Sequence, residues 1–395
     1  MIDVVIIGAG GAGIAAARRL LAAGLNIQIL EARARVGGRA ATDTATLGVP
    51  ADLGAAWLHF ADENPWTPLA REQGLTVIER EPDWRADHQS EFERNWGLIE
   101  AAAAAGLDVP VSSLLPDDAY RPRFDGIMTW FAGVESHQAS CLDIARYAES
   151  RHDWAVAEGL GSVLAGAAAG LPVQLGTPVT AIDWRGPGVR VTTAAGTLRA
   201  RAALVTLPTS VVAAGGLHFT PALPTPLQQA FADLPLGSCN KVFFRVDPAL
   251  LPPETHHAVG NPHSARTTSL ALRPAGQPLV MAYFGGELSL ELEASGQLEA
   301  FAREEVALAF GHDLAAGLQG SLVTGWNQDP WALGSYSAAR PGAANARLQL
   351  AEPPAPWLHF AGEASSVTHY STLVGAWRSG TSAATQLIET LRTSP

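Results

Sequence analysis

The chain has 395 residues, of which 47% are hydrophobic and only 16% charged, and its formal net charge is −12. This length is too great for one ordinary domain, so we expect two domains with a large buried core. The negative charge, without any basic cluster, argues against nucleic acid as a partner and mildly favours the attraction of cations.

The cysteine content and the hydropathy of the chain favour a reducing compartment. Cys141 and Cys239 are the only cysteines. They have no metal-ligand spacing and form no disulfide framework, so we expect free thiols and no metal site. The first strand leaves no room for a signal peptide, and no apolar run approaches the roughly twenty residues of a membrane span. We therefore expect a soluble cytoplasmic protein that does not bind membranes.

The first forty residues predict a dinucleotide-binding βαβ unit. An apolar strand from Asp3 to Ile7 leads through a G-x-G-x-x-G turn into a helix from Ile14 to Ala23, and a second strand from Asn26 to Leu30 ends on Glu31. Such glycines allow a tight turn and close approach of the backbone to a pyrophosphate, which the helix N-terminus attracts. An acid at the end of the second strand accepts hydrogen bonds from a ribose hydroxyl. The glycines predicted to cradle the pyrophosphate are Gly8, Gly10, Gly11 and Gly13.

The loop after the second strand indicates which dinucleotide binds. Residues 31–39 read E-A-R-A-R-V-G-G-R, so arginines that can pair with phosphate lie beside a Gly-Gly pair that lets a large cofactor pass. This segment resembles the FAD-containing amine oxidase family, whose members carry a closely similar E-A-R-x-R-x-G-G-R run. The resemblance implies that FAD binds to Glu31, Arg33, Gly38 and Arg39.

A second resemblance follows at residues 51–65. The run A-D-L-G-A-A-W-L-H-F, with Asn-Pro a few residues later, is similar to the G-A-x-W-I-H-G…N-P stretch of polyamine oxidases, which passes along the flavin. His59 then occupies a position that can face the active site; the alternative is a half-buried loop histidine. The cofactor contacts implied by this stretch are Leu53, Gly54, Ala55 and Trp57.

The middle of the chain combines a segment without motifs and a set of strands. Residues 81–165 predict a mostly helical part of a substrate domain and carry no recognisable motif. Strands at 178–184, 188–193 and 202–208 match the family's V-x-x-I…G-V-x-V-x-T…G…I-V-T-x-P pattern. The resemblance implies that the backbone of Val179 meets the adenine end of FAD.

The substrate domain resumes with strands at 237–246 and 279–284 and a helix at 297–310, which together predict a sheet flanked by helices. Lys241 lies near the start of the first of these strands. The resemblance aligns it with the lysine that holds a water at the reactive flavin nitrogen and assists reoxidation by oxygen, where a buried cation is electrostatically favourable. The alternative is an exposed lysine at a strand start.

Three motifs carry the resemblance through the C-terminal part of the chain. Residues 326–337, 360–363 and 372–384 are similar to the family's W-x-x-D-P-W-x-x-G-S-Y-S, F-A-G-E and T-x-x-G-A-x-x-S-G-x-x-A-A motifs. Tyr336 corresponds to one aromatic wall of an amine cage, with a core tyrosine as the alternative. The resemblance also implies that the helix beginning at Thr372 has its N-terminus directed at the flavin. The implied cofactor contacts are Trp326, Gly362, Glu363, Thr372 and Leu373.

Two departures from the monoamine oxidase pattern are informative. Ser335 stands where those enzymes attach FAD through a cysteine. Because a serine cannot form that thioether, we predict that FAD is bound non-covalently. Those enzymes have a second cage tyrosine where this chain has Thr372. A threonine at this position resembles the polyamine oxidase and histone-lysine demethylase branch instead.

Together these patterns predict an α/β fold with a Rossmann-like FAD-binding domain, split along the chain, and an α+β substrate domain whose mixed β-sheet is flanked by helices. We predict FAD-binding segments at 1–75, 171–210 and 322–395, and substrate-binding segments at 76–170 and 211–321. The expected reaction is oxidation of a small-molecule amine by hydride transfer to flavin, followed by imine hydrolysis and reoxidation by O2 to give H2O2. We expect a monomer or a homodimer.

Other proteins with this cofactor fold remain alternatives. An L-amino-acid oxidase needs a cation for the substrate carboxylate, which the sequence does not assign. A desaturase or a protoporphyrinogen oxidase does not require Lys241 or the W-x-x-D-P-W-x-x-G-S-Y-S block. A flavoprotein with only a binding role is the third alternative.

Overall fold

A computed structural model describes residues 2–80 and 88–393, so residues 81–87 of the predicted helical part lie outside the described chain. The strands are β1 Ile2–Ile7, β2 Ile27–Leu30, β3 Thr42–Asp43, β4 Ala51–Asp52, β5 Val77–Ile78, β6 Ala155–Val156, β7 Val173–Gln174, β8 Val179–Asp183, β9 Val189–Thr193, β10 Gly196–Val205, β11 His218–Thr220, β12 Cys239–Arg245, β13 His257–Val259, β14 Ser269–Leu272, β15 Leu279–Gly285, β16 Gln319–Val323 and β17 Leu358–Phe360. The helices are α1 Gly11–Ala22, α2 Trp66–Glu72, α3 Gln89–Ala104, α4 Arg121–Ala132, α5 Cys141–Arg146, α6 Leu160–Ala167, α7 Thr209–Ala213, α8 Thr225–Asp233, α9 Gly286–Ser295, α10 Leu298–Phe310, α11 His312–Ala316, α12 Ala346–Ala351 and α13 Leu373–Thr393.

The larger sheet has eight strands in the order β11-β8-β9-β10-β1-β2-β7, with β17 pairing to β10 as well. Strands β7, β2, β1 and β10 pair in parallel, and so do β10 and β17. Strands β8, β9 and β10 form an antiparallel meander. Both faces of a central parallel strand are covered, which explains why residues 4–7 of β1 are all apolar and buried rather than alternating.

Helices α1 and α13 pack closely against one another beside this sheet. A Cβ on Gly380 would lie 2.2 Å from the carbonyl oxygen of Ala12, so the contact requires glycine at this position. Ala16, Leu387 and Ile388 extend the same buried cluster. The C-terminal helix therefore returns to the βαβ unit that opens the chain.

The smaller sheet has five strands in the order β13-β14-β15-β12-β16, and every pairing in it is antiparallel. This corrects one detail of the predicted fold, because the mixed pairing belongs to the eight-stranded sheet. The short connections from β13 to β14 and from β14 to β15 allow only antiparallel pairing, and apolar periodicity does not report strand direction. Helices α9 and α10 pack on this sheet through Leu288, Leu298 and Val306.

The eight-stranded sheet also extends beyond the segments predicted for it. Strand β11 pairs with β8, and helix α8 contributes Leu227 and Phe231 to the core under the sheet. Both elements lie within residues 211–321, which we predict as substrate domain. We therefore propose that the cofactor-binding part of the chain extends to about residue 234.

Three observations concern the other predicted properties. Within residues 2–80 and 88–393, no helix is long and apolar enough to cross a membrane. The same residues contain no group of three or more histidine, cysteine, aspartate or glutamate side chains placed to hold a metal ion. Cys141 and Cys239 are both buried and unpaired.

Candidate active site

One large cavity is lined by the glycine turn after β1, by the five-stranded sheet and by the start of α13. Its volume is about 1130 Å³, above the roughly 300–1,000 Å³ of most small-molecule pockets. Every residue that the sequence predicts for catalysis or cofactor binding lines this cavity except Gly13. The predicted residues found there are Gly8, Gly10, Gly11, Glu31, Arg33, Gly38, Arg39, Leu53, Gly54, Ala55, Trp57, His59, Val179, Lys241, Trp326, Tyr336, Gly362, Glu363, Thr372 and Leu373.

Two glycines, one in the turn after β1 and one in the first turn of α1, cannot be replaced without strain or a clash. Gly8 has a φ of +105°, which side chains strongly disfavour. A Cβ on Gly13 would lie 2.0 Å from the carbonyl oxygen of Gly8. Gly13 therefore shapes the turn without reaching the cavity. Helix α1 begins at Gly11 without a side-chain cap, so its free N–H groups and positive end form an anion site.

Glu31 is buried beside this turn with its carboxylate only partly used. Oε2 accepts the backbone N–H of Ala9 at 2.7 Å, and Oε1 accepts that of Arg33 at 2.8 Å. Each carboxylate oxygen has a second lone pair. The acid that ends the second strand can therefore still accept hydrogen bonds from a ribose.

The two predicted arginines of the following loop are tied to the C-terminal motifs. Arg33 pairs with Asp329 at 2.9 Å, and burial lowers the pKa of Arg33 although Asp329 acts to raise it. Arg39 donates to the carbonyl oxygen of Ser335 at 2.6 Å and to Glu363 at 3.0 Å. These contacts join the first and last parts of the chain around one cavity.

The carboxylate oxygens of Glu363 already accept four hydrogen bonds from the protein. They accept hydrogen bonds from Arg39, from the backbone and hydroxyl of Ser337, and from the backbone N–H of Ser371. Burial acts to raise the pKa of Glu363, but Arg39, Arg347 and these hydrogen bonds hold it below its ordinary value. We therefore propose that Glu363 positions Arg39 and the loop before α13, and that it does not itself bind the cofactor strongly.

Lys241 is buried on β12 at the edge of the cavity, so the alternative of an exposed lysine is wrong. Its ammonium donates to the carbonyl oxygens of Asp52 at 2.9 Å and Gly54 at 2.6 Å. An ammonium has three donors, which leaves one for a ligand or a water molecule. Burial lowers the pKa of Lys241 to about 8, while Asp52 and Cys239 act to raise it.

The composition contains a signal for Lys241 that motif analysis did not use. Lysine and arginine together number 26, and Lys241 is the only lysine, so all 25 other cations are arginines. The one lysine of the chain is thus a buried residue on the cavity wall. If this position needed only an exposed positive charge, arginine would serve equally well, as it does at the 25 other positions.

The hydroxyl of Tyr336 is held away from any chemical role by three neighbours. It donates to the carbonyl oxygen of Trp130, and it lies 2.8 Å from the hydroxyl of Tyr283 and 3.0 Å from the thiol of Cys239. Burial raises the pKa of Tyr336 well above its ordinary value, so the phenol stays neutral. Tyr336 therefore offers the cavity a fixed ring.

Thr372 is the N-terminal cap of α13. Its hydroxyl accepts the backbone N–H of Gly375 at 3.0 Å and donates to the carbonyl oxygen of His369 at 2.6 Å, as is typical of threonine at this position. Thr372, Leu373 and Ala376 line the cavity. The positive end of α13 is therefore directed at the same cavity as that of α1.

His59 lines the cavity with a side chain that is 30% exposed. Its Nδ1 lies 2.8 Å from Oδ1 of Asp153, which also accepts the hydroxyl of Ser150 at 2.6 Å. Sequence reasoning identified His59 but missed Asp153 and Ser150. Both lie in the stretch without motifs, where no spacing connects them to His59.

Five rings on the cavity wall form an aromatic row that sequence reasoning also missed. The row consists of Phe92, Trp96, Phe131, Tyr147 and Tyr370, all of which line the cavity. Successive centroids are 5.7, 5.6, 5.2 and 5.1 Å apart, within the range of favourable ring contacts. The first four rings come from residues 81–165, where they carry no recognisable motif.

The structure fits the FAD that the sequence predicts. One part of the cavity has an anion-binding turn, a ribose-accepting acid and two arginines, and another has a buried lysine and a fixed tyrosine ring. Small residues at 54 and 55 keep the intervening wall open, and a Cβ on Gly54 would lie 1.9 Å from the carbonyl oxygen of Arg39. An extended dinucleotide with a redox ring matches this sequence of environments.

Comparison with known proteins identifies the family. The profile described as "Flavin containing amine oxidoreductase" matches residues 12–103 and 112–388. The chain belongs to this family. It is therefore an FAD-dependent amine oxidase, as predicted, and the polyamine oxidase branch is the one that its relatives support.

Individual relatives of this amine oxidase span nearly its whole length. It is 30% identical to polyamine oxidase 4 of Oryza sativa subsp. japonica, over 97% of this chain and 88% of that protein. It is also 30% identical to polyamine oxidase 2 of Arabidopsis thaliana, over 97% of this chain and 87% of that protein. Human lysine-specific histone demethylase 2 is 25% identical, over 98% of this chain and 53% of that protein.

Solved structures confirm the predicted fold class. Cyclohexylamine oxidase from Brevibacterium oxydans IH-35A superposes with a TM-score of 0.83 at 23% identity, covering 99% of both chains. A putrescine oxidase bound to putrescine gives a TM-score of 0.83 at 22% identity, covering 98% of this chain and 99% of that one. At these identities the similarity concerns the fold alone.

Proposed function

We propose that this amine oxidase acts on a di- or polyamine and passes the electrons to O2, giving an imine that hydrolyses and H2O2. The observation that carries the substrate class is the face of α3 toward the cavity. Phe92, Glu93, Trp96 and Glu100 all line it, with the spacing of one helical face. Acids and rings that alternate along a wall suit a chain of ammonium groups, through ion pairs and cation–π contacts.

The reaction itself depends on a cofactor that takes a hydride from the carbon next to an amine nitrogen. The chain's residues must orient that carbon and keep bulk water away. We propose that the ring of Tyr336 forms one wall at the reacting end of the substrate, and that the aromatic row guides the rest of the amine. A desolvated aromatic wall also favours the neutral amine that can lose a hydride.

Lys241 is the residue that we propose for the reaction with oxygen. Its buried ammonium would stabilise negative charge that develops during reduction of O2, in an environment where such charges interact strongly. The carbonyl oxygens of Asp52 and Gly54 hold the ammonium in place. The remaining donor is then available to a water molecule or to oxygen.

We propose that the cofactor is held without a covalent bond. Ser335 offers only a hydroxyl, which donates to the carbonyl oxygen of Gly237 at 2.9 Å. Its backbone oxygen accepts from Arg39. The holding forces would be the helix ends, Glu31 and the arginines. We further propose a cytoplasmic location, which the two buried free thiols support, and a monomeric or homodimeric state.

The experiment that tests the substrate class is anaerobic bleaching of the flavin by a panel of amines. Spermidine and putrescine should reduce it at lower concentration than cyclohexylamine, and L-leucine tests the amino acid alternative. Arg123 also lines the cavity and is the observation that favours that alternative, because a guanidinium can pair with a carboxylate. Reduction by L-leucine in preference to every amine would overturn the polyamine proposal.

A pair of charge variants sharpens this test. Replacing both Glu93 and Glu100 by glutamine should raise the apparent KM for spermidine about fivefold, since each exposed ion pair contributes roughly 0.2–1 kcal/mol. The KM for cyclohexylamine should not change. Glu91→Gln is the matched control, because Glu91 lies on the same helix but does not line the cavity. If Glu91→Gln raised the KM for spermidine as much as the double change does, the effect would come from the overall negative charge of the helix and not from contacts in the cavity.

A further inference from the structure

The surroundings of His59 are built from a distant part of the chain. Leu58 and Trp154 form an antiparallel bridge, with the N–H of Leu58 donating to Trp154 at 2.7 Å. The N–H of Ala61 donates to the carbonyl oxygen of His152 at 2.8 Å. This short ladder places Asp153, which is 94 residues later in the chain, beside His59.

The hydrogen bonds around Asp153 determine which ring nitrogen of His59 carries the proton. Oδ1 of Asp153 lies 2.8 Å from Nδ1 of His59 and accepts the hydroxyl of Ser150 at 2.6 Å, while that hydroxyl accepts the N–H of Phe60 at 2.7 Å. Burial acts to raise the pKa of Asp153, but hydrogen bonds and the charge of His59 hold it below its ordinary value. An ionised carboxylate only accepts hydrogen bonds, so Nδ1 must donate.

The other ring nitrogen is then a hydrogen-bond acceptor on a residue that lines the cavity. His59, Ser150 and Asp153 all line the cavity. Nε2 of His59 has no hydrogen-bond partner among residues 2–80 and 88–393. In the neutral ring with a proton on Nδ1, Nε2 carries a free lone pair.

We propose that Asp153 and Ser150 are positioning residues that hold the Nε2 lone pair of His59 toward the substrate amine, where it takes the proton of the bound ammonium. This inference rests on the proposed amine substrate. In the step, an N–H bond of the ammonium breaks and an Nε2–H bond forms, while the electron pair stays on the amine nitrogen. The carboxylate of Asp153 stabilises the resulting imidazolium, and water at the cavity mouth removes the proton.

Chemistry requires such a step, because the hydride leaves from a neutral amine. An alkyl ammonium with a pKa of about 10.4, the ordinary value for a lysine side chain, is neutral in roughly one molecule in 2,500 at pH 7. Histidine has an ordinary pKa of about 6.5, so proton transfer to it is uphill. The partly buried carboxylate of Asp153, 2.8 Å from Nδ1, keeps a hydrogen-bond acceptor on the ring before and after the transfer.

Other titratable groups surround His59, and their charges also act on it. On its own loop, Glu63 pairs with Arg378 at 3.2 Å. His369, whose ring packs against Phe60 at 4.6 Å, is contacted by Arg378. The facing segment and the loop itself also contain Asp62, Tyr147, Glu149, Arg151 and His152. Asp153 is the group in direct contact with the imidazole.

A double-mutant cycle separates this role from a merely structural one. The rate constant of anaerobic flavin reduction divided by the amine dissociation constant is measured with putrescine for wild type, His59→Asn, Asp153→Asn and the double variant. We expect a loss of about 10²-fold for His59→Asn and about tenfold for Asp153→Asn. Adding Asp153→Asn to His59→Asn should cost less than about twofold, because the two residues act as a unit. Ser150→Ala should give a smaller loss than Asp153→Asn with the same dependence on His59.

One further readout completes the test. In holoenzyme labelled with ¹⁵N-histidine, the signals that disappear in His59→Asn should show a protonated Nδ1 and an unprotonated Nε2. The opposite tautomer, or a full tenfold loss on adding Asp153→Asn to His59→Asn, would overturn the proposal. Failure of putrescine and all other amines to reduce the wild-type flavin would instead refute the proposed function.

Discussion

The lowered pKa of Lys241 leads to a quantitative prediction about stability. Burial lowers its pKa from an ordinary 10.5 to about 8, against the opposing effects of Asp52 and Cys239. One pKa unit corresponds to about 1.4 kcal/mol, so this shift corresponds to roughly 3 kcal/mol in favour of the neutral amine. The side chain is almost entirely buried, so solvent screening removes little of that free energy.

The sign of the effect on stability follows from the proton balance. Between pH 8 and about 10.4 the unfolded chain keeps the lysine proton while the folded protein has released it, so the free energy of unfolding rises with pH in this window. Lys241→Met removes the titrating group. The difference in unfolding free energy between wild type and Lys241→Met should therefore grow by about 3 kcal/mol from pH 7 to pH 10.5.

The single lysine makes the pKa directly measurable. In protein labelled with ¹⁵N-lysine, the one Nζ resonance reports the titration of Lys241 alone, because the chain contains no other lysine. Urea unfolding of wild type and Lys241→Met across the same pH range gives the stability difference. A resonance that titrates near 10.5, or a stability difference that does not change with pH, would refute the argument from burial.

If reoxidation by oxygen requires the protonated form of Lys241, the rate constant of flavin reoxidation should depend on pH with the same pKa. Above pH 8 the protonated fraction of Lys241 falls tenfold per pH unit, and the rate constant of flavin reoxidation should fall with it. In Lys241→Met, stopped-flow reoxidation should be slower by about 10²-fold, comparable to loss of one charge-stabilising donor, and independent of pH. Flavin reduction by the amine should change much less. Unaltered oxygen reactivity would remove Lys241 from the mechanism.

Three further predictions concern the cofactor and the core. Gly13→Ala should abolish FAD binding, because its Cβ would lie 2.0 Å from a carbonyl oxygen of the turn, whereas Gly97→Ala, with open space around it, should bind FAD normally by fluorescence titration. Arg347→Met should lower the free energy of unfolding by about 3–5 kcal/mol, because it leaves Asp143 charged and unpaired in a buried site. Adding Asp143→Leu should restore much of that loss in urea unfolding. Acid precipitation should leave a colourless pellet and a yellow supernatant, as Ser335 forms no thioether, and a yellow pellet would contradict non-covalent binding.

Sequence reasoning identified the parts of the site that are encoded locally. The G-x-G-x-x-G turn, Glu31 and the arginine loop lie within forty residues, and each has a fixed spacing because the strand, turn and helix are consecutive. The C-terminal motifs were identified through resemblance, and the structure brings them to the same cavity. For Glu363 we propose a less direct role than the predicted cofactor contact, because four protein donors occupy its carboxylate.

The parts that sequence reasoning missed depend on contacts between distant segments. Asp153 meets His59 only because a short ladder pairs 58–61 with 152–154. The aromatic row joins rings from α3, α4, the segment after α5 and the loop before α13. Helical periodicity shows which face of α3 is apolar, but it does not show which neighbour that face meets. The antiparallel pairing of the second sheet was missed for the same reason.

The excess of arginine over lysine strengthens the case for a specific role of Lys241. A chain that uses arginine for 25 of its 26 cations would be expected to carry arginine here too if only positive charge were needed. A guanidinium remains charged in any protein environment, and its planar fork needs more donors satisfied than an ammonium does. Two carbonyl oxygens satisfy two of the three ammonium donors of Lys241, whereas they would leave most of a guanidinium unpaired. The site is therefore built for a compact cation that can lose its proton, which is a property that no arginine supplies.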